Sequence, residues 1–253
     1  MTDQEAYWEA FFTLHQGLPR EGPGSDAATR RALKLLPALP PRPRVADMGC
    51  GPGRQSLVLA AELGVPILAL DLHQPFLDQL RAAAQERGLT HLIQIRRADM
   101  ADPGLAPGSL DLLWAEGSIF ILGWARGLGL WRPLLGPGGL LVASELTWLS
   151  PDPPAEAREF LQAAYPAMTD LAGNLALAQG QGYQVLGHFP LENRAWWDEY
   201  LGPLNERAQG LAGQAQADPA LAQVLAENQQ EITVWRRHGA SFGYVFYLLR
   251  RLT

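Results

Sequence analysis

Cysteine is nearly absent from this sequence. Cys50 is the only one in 253 residues, so the chain can form neither a disulfide within itself nor a metal site built from cysteines. A chain of this length buries roughly 70–75% of the surface that its unfolded form exposes. We therefore expect a core that folds without covalent links and without a metal.

The sequence also lacks an excess of positive charge and any long apolar run. The net charge is −6, whereas binding to nucleic acid needs a basic face, so we expect no nucleic-acid partner. No apolar stretch approaches the ~20 residues of a membrane span, and the first residues do not resemble a secretion signal. These absences favour a cytoplasmic protein without a membrane partner.

What the sequence does contain is a regular alternation of apolar runs and helical stretches. Apolar runs separated by helices of ten or more residues are typical of βαβ units, in which the strands form a parallel sheet buried on both faces. The pattern therefore predicts a doubly wound, Rossmann-like α/β sheet. The predicted strands of this part of the chain lie at 43–48, 66–71, 92–99, 110–117 and 140–148.

Helical patterns flank this core on both sides. Two helices precede it, and about 50 residues with two helical patterns separate the last two predicted strands, 183–191 and 243–251. Because an antiparallel pair needs only a short hairpin, we interpret that segment as an insertion that covers the substrate. The predicted division is N-terminal cap helices at 1–40, a cofactor-binding core at 41–191, a helical insertion at 192–241 and a last, antiparallel end strand at 242–253.

Four consecutive predicted strands end in an acidic residue, namely Asp47, Asp71, Asp99 and Glu116. In an open α/β sheet, ligands bind beyond the carboxyl ends of the strands. The first acid opens the pattern D-x-G-x-G-x-G, whose glycines allow a ligand to approach the backbone. Pro52 is expected in the first turn of the helix that follows.

The spacing of this loop disfavours a dinucleotide site. A G-x-G-x-x-G fingerprint that starts at Gly49 requires glycine at position 54, where the chain has Arg54. Asp71, at the tip of the second strand, can accept hydrogen bonds from both hydroxyls of a ribose. Asp99 can accept from an exocyclic amine, and Met100 can pack on an adenine face.

With these motifs in order, the chain resembles the class I S-adenosylmethionine-dependent methyltransferases, and more narrowly a group of bacterial small-molecule methyltransferases. The resemblance covers residues 43–145 and lies in "VADMGCGPGR", "ALDLHQPFL", "RRADM", "LDLLWAEGSIF" and "LLGPGGLLVASE". It implies a Rossmann-like fold, S-adenosylmethionine as the cofactor and S-adenosylhomocysteine as the product. A small-molecule methyl acceptor is the implied partner, and a homodimer is left open.

The resemblance also implies a role for each residue that matches a motif. Asp71 and Leu72 would hold the ribose and adenine, Asp99 and Met100 the adenine edge, and Glu116 the methionyl end near the sulfonium. Gly49, Gly51 and Gly53 would pass the methionine part, and Cys50 of the same loop would also bind the cofactor. Asp47 would order the loop or meet the amino group. Beyond the family motifs, Arg20 precedes a glycine turn that leads into a helix N-terminus, an arrangement that suits the methionine carboxylate.

The acceptor is not specified by the sequence. The end of the fourth strand reads Ala115-Glu116-Gly117-Ser118, which disfavours methylation of nucleobases, glutamine or protein arginine. Candidate pocket residues on the flanking helices and the fifth strand are Tyr7, His15, Trp148, Trp197 and Tyr200, and no catalytic base stands out. A protein that binds the cofactor without turnover and an NAD-dependent oxidoreductase are the alternative functions.

Overall fold

The computed structural model describes residues 2–252. Met1 and Thr253 lie outside the described residues, so the predicted segments 1–40 and 242–253 are each described except for one terminal residue.

One eight-stranded sheet organises the chain, with the strand order β3-β2-β1-β4-β5-β8-β7 and with β6 paired to the end of β5. β1, β2, β4 and β5 pair in parallel around the centre, and β3 extends this parallel part to one edge. The strand bounds are β1 Val45–Met48, β2 Ile67–Asp71, β3 Ile93–Arg97, β4 Leu110–Glu116, β5 Leu135–Trp148, β6 Thr169–Asp170, β7 Tyr183–Pro190 and β8 Phe242–Arg251.

The expected fold class is confirmed, and the structure adds the position of the antiparallel strand. β8, the last strand of the chain, runs antiparallel to both of its neighbours, β5 and β7. It therefore lies one place in from the edge, which β7 forms. The apolar side chains of β8 are buried from Phe242 to Leu249, as expected of a strand covered on both faces.

Helices cover both faces of the sheet and its carboxyl edge. Their bounds are α1 Asp3–His15, α2 Asp26–Leu35, α3 Arg54–Leu63, α4 Gln74–Glu86, α5 Trp124–Trp131, α6 Ala155–Ala164, α7 Leu171–Gly180, α8 Asn193–Trp196, α9 Gly202–Ala215 and α10 Pro219–His238. A π-helical turn, Trp197–Leu201, joins α8 to α9. Side chains cap several helix starts: Ser25 accepts from the N–H of Ala28, and Asp218 accepts from the N–H of Leu221.

Two local expectations were wrong. α3 begins at Arg54 with Gly53 as its N-cap residue, so Pro52 lies before the helix and not in its first turn. β5 begins at Leu135, directly after a short 3₁₀ turn, Arg132–Leu134, and therefore five residues before the start of the predicted strand 140–148.

The first helix and the segment 192–241 contact one another over the carboxyl end of the sheet. α1 packs on α9 and α10, and α10 also packs on α6. The guanidinium of Arg207 on α9 donates to the carbonyl of Thr13 in the last turn of α1, at 2.7 Å from Nη2. These helices therefore form one wall above the strand ends that carry the acidic residues.

Candidate functional site

The loop after β1 is held in a conformation that only glycine adopts easily. Gly49, Gly51 and Gly53 have φ values of +67°, +55° and +78°. A Cβ atom on Gly49 would lie 2.7 Å from Cβ of Ser118, and one on Gly53 would overlap the side chain of Leu80. The loop is thus fixed by backbone conformation and by close packing, and its N–H groups lead into the start of α3.

Asp71 connects this loop to the end of β2. Its Oδ2 accepts from the N–H of Gly51 at 2.8 Å, and its Oδ1 accepts from the N–H of His73 at 2.8 Å. The carboxylate therefore lies at the edge of the loop, as the sequence predicted. The next side chain, Leu72, is 56% exposed and presents an apolar surface beside it.

Asp99 and Met100 lie at the same edge, after β3. Oδ1 of Asp99 accepts from the N–H of Ala101 at 2.8 Å, which orders the turn. The carbonyl of Met100 accepts from Nε1 of Trp131 at 2.8 Å, and its sulfur lies 3.3 Å from the Cβ position of Gly49. The third strand end is therefore brought against the glycine loop.

Asp47 is fully buried beneath the loop. Its Oδ2 accepts from the hydroxyl of Ser56 on α3, whereas Oδ1 has no hydrogen-bond partner within residues 2–252. Burial raises the pKa of Asp47 to about 7, and the nearby carboxylates of Glu116 and Asp71 add to this. A cation placed near the loop would lower that pKa again.

The side chain of Cys50 is buried beneath the loop. Its thiol is buried in a cluster that includes Leu57, Leu77 and Leu80, and this burial raises the pKa of the Cys50 thiol well above its ordinary value. Within the loop, the thiol of Cys50 donates to the carbonyl of Gly51 at 3.5 Å, and the carbonyl of Cys50 accepts from the N–H of Gly53 at 2.9 Å. Any contact of Cys50 with a cofactor would therefore come from its main chain.

Glu116, at the end of β4, is already surrounded by donors. Its Oε1 accepts from Oγ1 of Thr29 at 2.7 Å and from Nε1 of Trp114 at 2.8 Å. Its Oε2 lies 3.4 Å from Nη1 of Arg20, and both side chains are almost completely buried. Burial raises the pKa of Glu116, and Arg20, Thr29 and Trp114 oppose that shift.

Arg20 lies over the carboxyl end of β4 but faces carboxylates of the protein itself. Its Nη2 lies 3.0 Å from Oδ1 of Asp26 in the first turn of α2, and its Nε is 4.0 Å from Oε2 of Glu199. Nε has no hydrogen-bond partner among the described residues. Nε is therefore the nitrogen of Arg20 that could make the predicted contact with a ligand carboxylate.

Glu21 was missed by the sequence analysis. Its Oε2 lies 2.8 Å from Nδ1 of His15, and its Cγ lies 3.3 Å from the Cβ position of Gly51. Burial raises the pKa of Glu21, and its Oε1 is unpartnered within residues 2–252. No motif marks this residue, because only the folding of the N-terminal segment over the sheet places it above the loop.

The predicted pocket residues are separated by the structure into two groups. Tyr7, His15 and Tyr200 line a cavity of about 660 Å³ between α1, α6 and α10. Trp148 is buried against Phe242, with ring centroids 6.4 Å apart, and is not among the lining residues.

Trp197 is likewise not among the lining residues of this cavity. Its ring stacks on that of Trp235, and the guanidinium of Arg236 lies over it. Its neighbour Trp196 turns inward instead, with its ring 5.6 Å from that of Tyr244.

Another buried carboxylate, that of Glu145, lies near the end of β5. Glu145 is 1% exposed, lies beside the hydroxyl of Tyr165, and leaves its Oε2 without a partner in the described chain. Burial raises the pKa of Glu145 to about 8. Glu145 also helps to raise the pKa of the Tyr244 hydroxyl. The ring of Tyr244 lies 4.0 Å from the Cβ position of Gly117, so Tyr244 adjoins the end of β4.

Comparison with known proteins agrees with this geometry. Residues 45–139, which span β1 to the start of β5, match a family described as a methyltransferase domain. The chain also superposes on a S-adenosylmethionine-dependent methyltransferase from Geobacter sulfurreducens, solved with S-adenosyl-L-homocysteine. That superposition has a TM-score of 0.81 at 21% identity and covers 95% of this chain and 97% of the other.

Residues 45–139 therefore belong to the methyltransferase-domain family, and the chain as a whole shares the fold of a S-adenosylmethionine-dependent methyltransferase. A curated relative, the sarcosine/dimethylglycine N-methyltransferase of Halorhodospira halochloris, is 34% identical over 110 residues. That match covers 42% of this chain and only 39% of the relative, so the chain matches about two fifths of the relative's length.

The same fold also occurs in a protein of different activity. The [4+2]-cyclase SpnF superposes with a TM-score of 0.74 at 18% identity, over 98% of this chain and 93% of the cyclase. The fold alone therefore does not specify the reaction, which has to be argued from the residues of this chain. Within residues 2–252, no helix is both long and apolar enough to cross a membrane, and no group of three or more potential ligand side chains could hold a metal ion.

Proposed function

We propose that this chain transfers the methyl group of S-adenosylmethionine to a small-molecule acceptor. The observation that carries the proposal is the meeting of three strand ends at one loop. Asp71 binds the N–H of Gly51, Met100 packs against Gly49, and Glu116 closes the far side with Arg20.

The residues around this loop fit the chemistry of the cofactor. S-adenosylmethionine has an ammonium, a carboxylate and a sulfonium at its methionyl end, and therefore needs both acceptors and a donor. Buried polar atoms without a partner among the described residues include Glu21 Oε1 and Asp47 Oδ1 as acceptors and Arg20 Nε as a donor. Asp71 would bind the ribose hydroxyls, and the exposed side chain of Leu72 would cover the adenine.

When bound, the cofactor supplies an activated methyl group on a good leaving group. The protein then contributes mainly position and exclusion of water, since correct placement of two reactants is worth up to roughly 7–11 kcal/mol. Glu21 and His15 lie between the loop and the cavity, so they would orient the two ligands relative to one another. Glu145 and Tyr165, which lie side by side near the end of β5, are the groups that could hold or accept a proton from the acceptor.

The helices outside the core would enclose the acceptor. α1 contacts both α9 and α10, and the cavity lies between α1, α6 and α10. This supports the division into cap helices at 1–40, a core at 41–191, a cover at 192–241 and a last strand at 242–253. We infer a cytoplasmic protein that acts without nucleic acid or membrane, in keeping with its net charge of −6, and leave a homodimer open.

Methyl transfer can be tested with cofactor labelled in the methyl group. The purified protein is incubated with labelled S-adenosylmethionine and a small-molecule extract, and S-adenosylhomocysteine is measured together with labelled product. We expect formation of S-adenosylhomocysteine that depends on the extract and is lost in Asp71→Ala. Tight cofactor binding without turnover in any extract would favour the alternative of a binding protein.

A further inference from the structure

The cavity under α1 has a lining that is both acidic and aromatic. Three of its walls are α1, α6 and α10, and it contains four glutamates but neither arginine nor lysine. The lining side chains that matter here are Tyr7, Phe11, His15, Tyr200, Asn228 and Glu231. A cavity with this charge favours a cation over a neutral or anionic ligand.

Two of the four acidic side chains in the lining already have partners, and a third, Glu159, is exposed to solvent. Glu156 is paired with Arg237 and with His238, each at 2.8 Å or less. Glu227 accepts from the hydroxyl of Tyr7 at 2.7 Å. These carboxylates therefore stabilise the cavity wall and are not available as partners of a ligand.

Glu231 differs from them. Burial is the only cause that shifts its pKa, which is raised to about 7, and neither a hydrogen bond nor an ion pair within residues 2–252 opposes the shift. A carboxylate that faces a cavity without a counter-charge is stabilised by a cationic ligand. Glu231 is therefore the acidic group that a cation would meet.

A second polar side chain of the lining, the amide of Asn228, also has an atom without a hydrogen-bond partner in the described chain. Asn228 lies on α10 just under one turn before Glu231 and is 6% exposed. Its Nδ2 has no hydrogen-bond partner in the described chain. Because a buried amide N–H donor without a partner is costly, this donor indicates an oxygen on the ligand.

Aromatic rings complete the site. Tyr200 and Tyr244 are both buried, and the nearby carboxylate of Glu231 helps to raise the pKa of each hydroxyl. The rings of Phe11 and His15 stack with centroids 4.0 Å apart on the α1 side. Aromatic faces beside a carboxylate are suited to an alkylated ammonium group.

We propose that this cavity binds the methyl acceptor as a small protonated amine that also contains a hydrogen-bond-accepting oxygen, with Glu231 as its counter-charge and Asn228 as the donor to its oxygen. The proposal rests on the proposed methyl transfer, because that function makes the cavity an acceptor site. The cavity meets the glycine loop at His15 and Glu21, which places the bound amine beside the cofactor site.

Matched small molecules can test the charge requirement. N,N-dimethylethanolamine is a protonated amine at neutral pH, isoamyl alcohol is its neutral carbon analogue, and isovalerate is an anion of similar size. Each is titrated into the full chain with and without S-adenosylhomocysteine, and binding is followed by NMR and calorimetry. We expect the amine to bind at least about tenfold more tightly than either comparison compound, the scale of one partly desolvated charge contact.

Variants then assign the contacts. Glu231→Gln should weaken amine binding about tenfold or more, whereas Glu206→Gln, an exposed change of the same charge on α9, should not. Asn228→Ala should weaken binding of N,N-dimethylethanolamine but not of N,N-dimethylpropylamine, which has no oxygen. Circular dichroism and S-adenosylhomocysteine binding show whether each variant is folded.

Three results would overturn the assignment. These are equal binding of the neutral or anionic compound, unchanged amine binding in Glu231→Gln, and no amine binding by a protein that binds S-adenosylhomocysteine. Failure to bind S-adenosylhomocysteine would instead contradict the proposed methyl transfer, so the two failures are distinguishable.

Discussion

Nδ1 of His15 lies 2.8 Å from Oε2 of Glu21, and this contact joins the cavity under α1 to the glycine loop. His15 is 3% exposed and lines the cavity, whereas Glu21 packs over Gly51. The pair therefore lies between the two ligands that methyl transfer must bring together. Its position makes Glu21 sensitive to the charge of the cofactor.

Glu21→Gln should weaken binding of S-adenosylmethionine. The unpartnered Oε1 of Glu21 lies above the loop, and the cofactor has positive charge on its ammonium and its sulfonium. Loss of one charge-assisted contact corresponds to about tenfold in affinity. Calorimetric titration measures this, with Glu86→Gln, an exposed change on α4, as the control; equal affinities of the two variants would exclude a contact between Glu21 and the cofactor.

Asp71→Ala should weaken cofactor binding more strongly and without unfolding the protein. The carboxylate binds the N–H groups of Gly51 and His73 and would bind the ribose, so its removal loosens the loop and removes two acceptors. We expect a loss of at least about tenfold, since hydrogen bonds to charged groups contribute roughly 1.5–3 kcal/mol each. Asp78→Ala, which removes an exposed carboxylate from α4, is the matched control and should bind normally.

Arg20→Ala should destabilise the fold, because it leaves Glu116 buried without its cation. Breaking a buried ion pair from one side typically costs about 3–5 kcal/mol. The double variant Arg20→Ala/Glu116→Gln should recover part of this loss, since the remaining group is then neutral. Urea unfolding measures the stability of each variant; a single variant as stable as the wild type would show that the pair does not hold the N-terminal segment to β4.

Unfolding free energy should fall as the pH rises from about 4 to about 8 in the ligand-free protein. Burial raises the pKa of Glu145 to about 8 and of Glu231 to about 7, whereas an unfolded glutamate titrates near 4.3. Between these values the folded form holds a proton that the unfolded form has lost, so each group costs about 1.4 kcal/mol per pH unit. Stability that rises over this range would contradict the burial of these groups.

Glu145→Gln and Glu231→Gln should each flatten this pH dependence. The neutral amide removes the titration and preserves the shape of the side chain. The comparison requires urea unfolding of all three proteins at several pH values. A decline as steep in the variants as in the wild type would assign the titration to the other buried carboxylates whose pKa is raised, namely Asp47, Glu21 and Glu116.

The sheet and the glycine loop were predictable because local sequence determines them. Each central strand is a short apolar run, and each of the first strands ends in an acid that parallel pairing brings to one edge. The positive φ of Gly49, Gly51 and Gly53 has the same local origin. The start of β5 was not predictable, because Leu135 joins the strand by pairing with Leu110 despite the glycines that follow it.

Contacts between distant segments could not be read from the sequence. Glu21 reaches Gly51 only because the N-terminal segment folds over the sheet, and Glu116 is paired with Arg20 across 96 residues of chain. Trp196 and Trp197 are adjacent in sequence, and a π-helical turn decides which of them faces inward. Likewise, the sequence alone could not show that the carboxylate of Glu231 lines a cavity and has no partner among the described residues.

Parallel titrations of the wild-type protein with S-adenosylmethionine and with NADH test the central claim most directly. The account predicts saturable binding of S-adenosylmethionine at one site and no binding of NADH, because position 54 has arginine where a dinucleotide loop requires glycine. Folded protein that binds NADH, or that fails to bind S-adenosylmethionine, would contradict it.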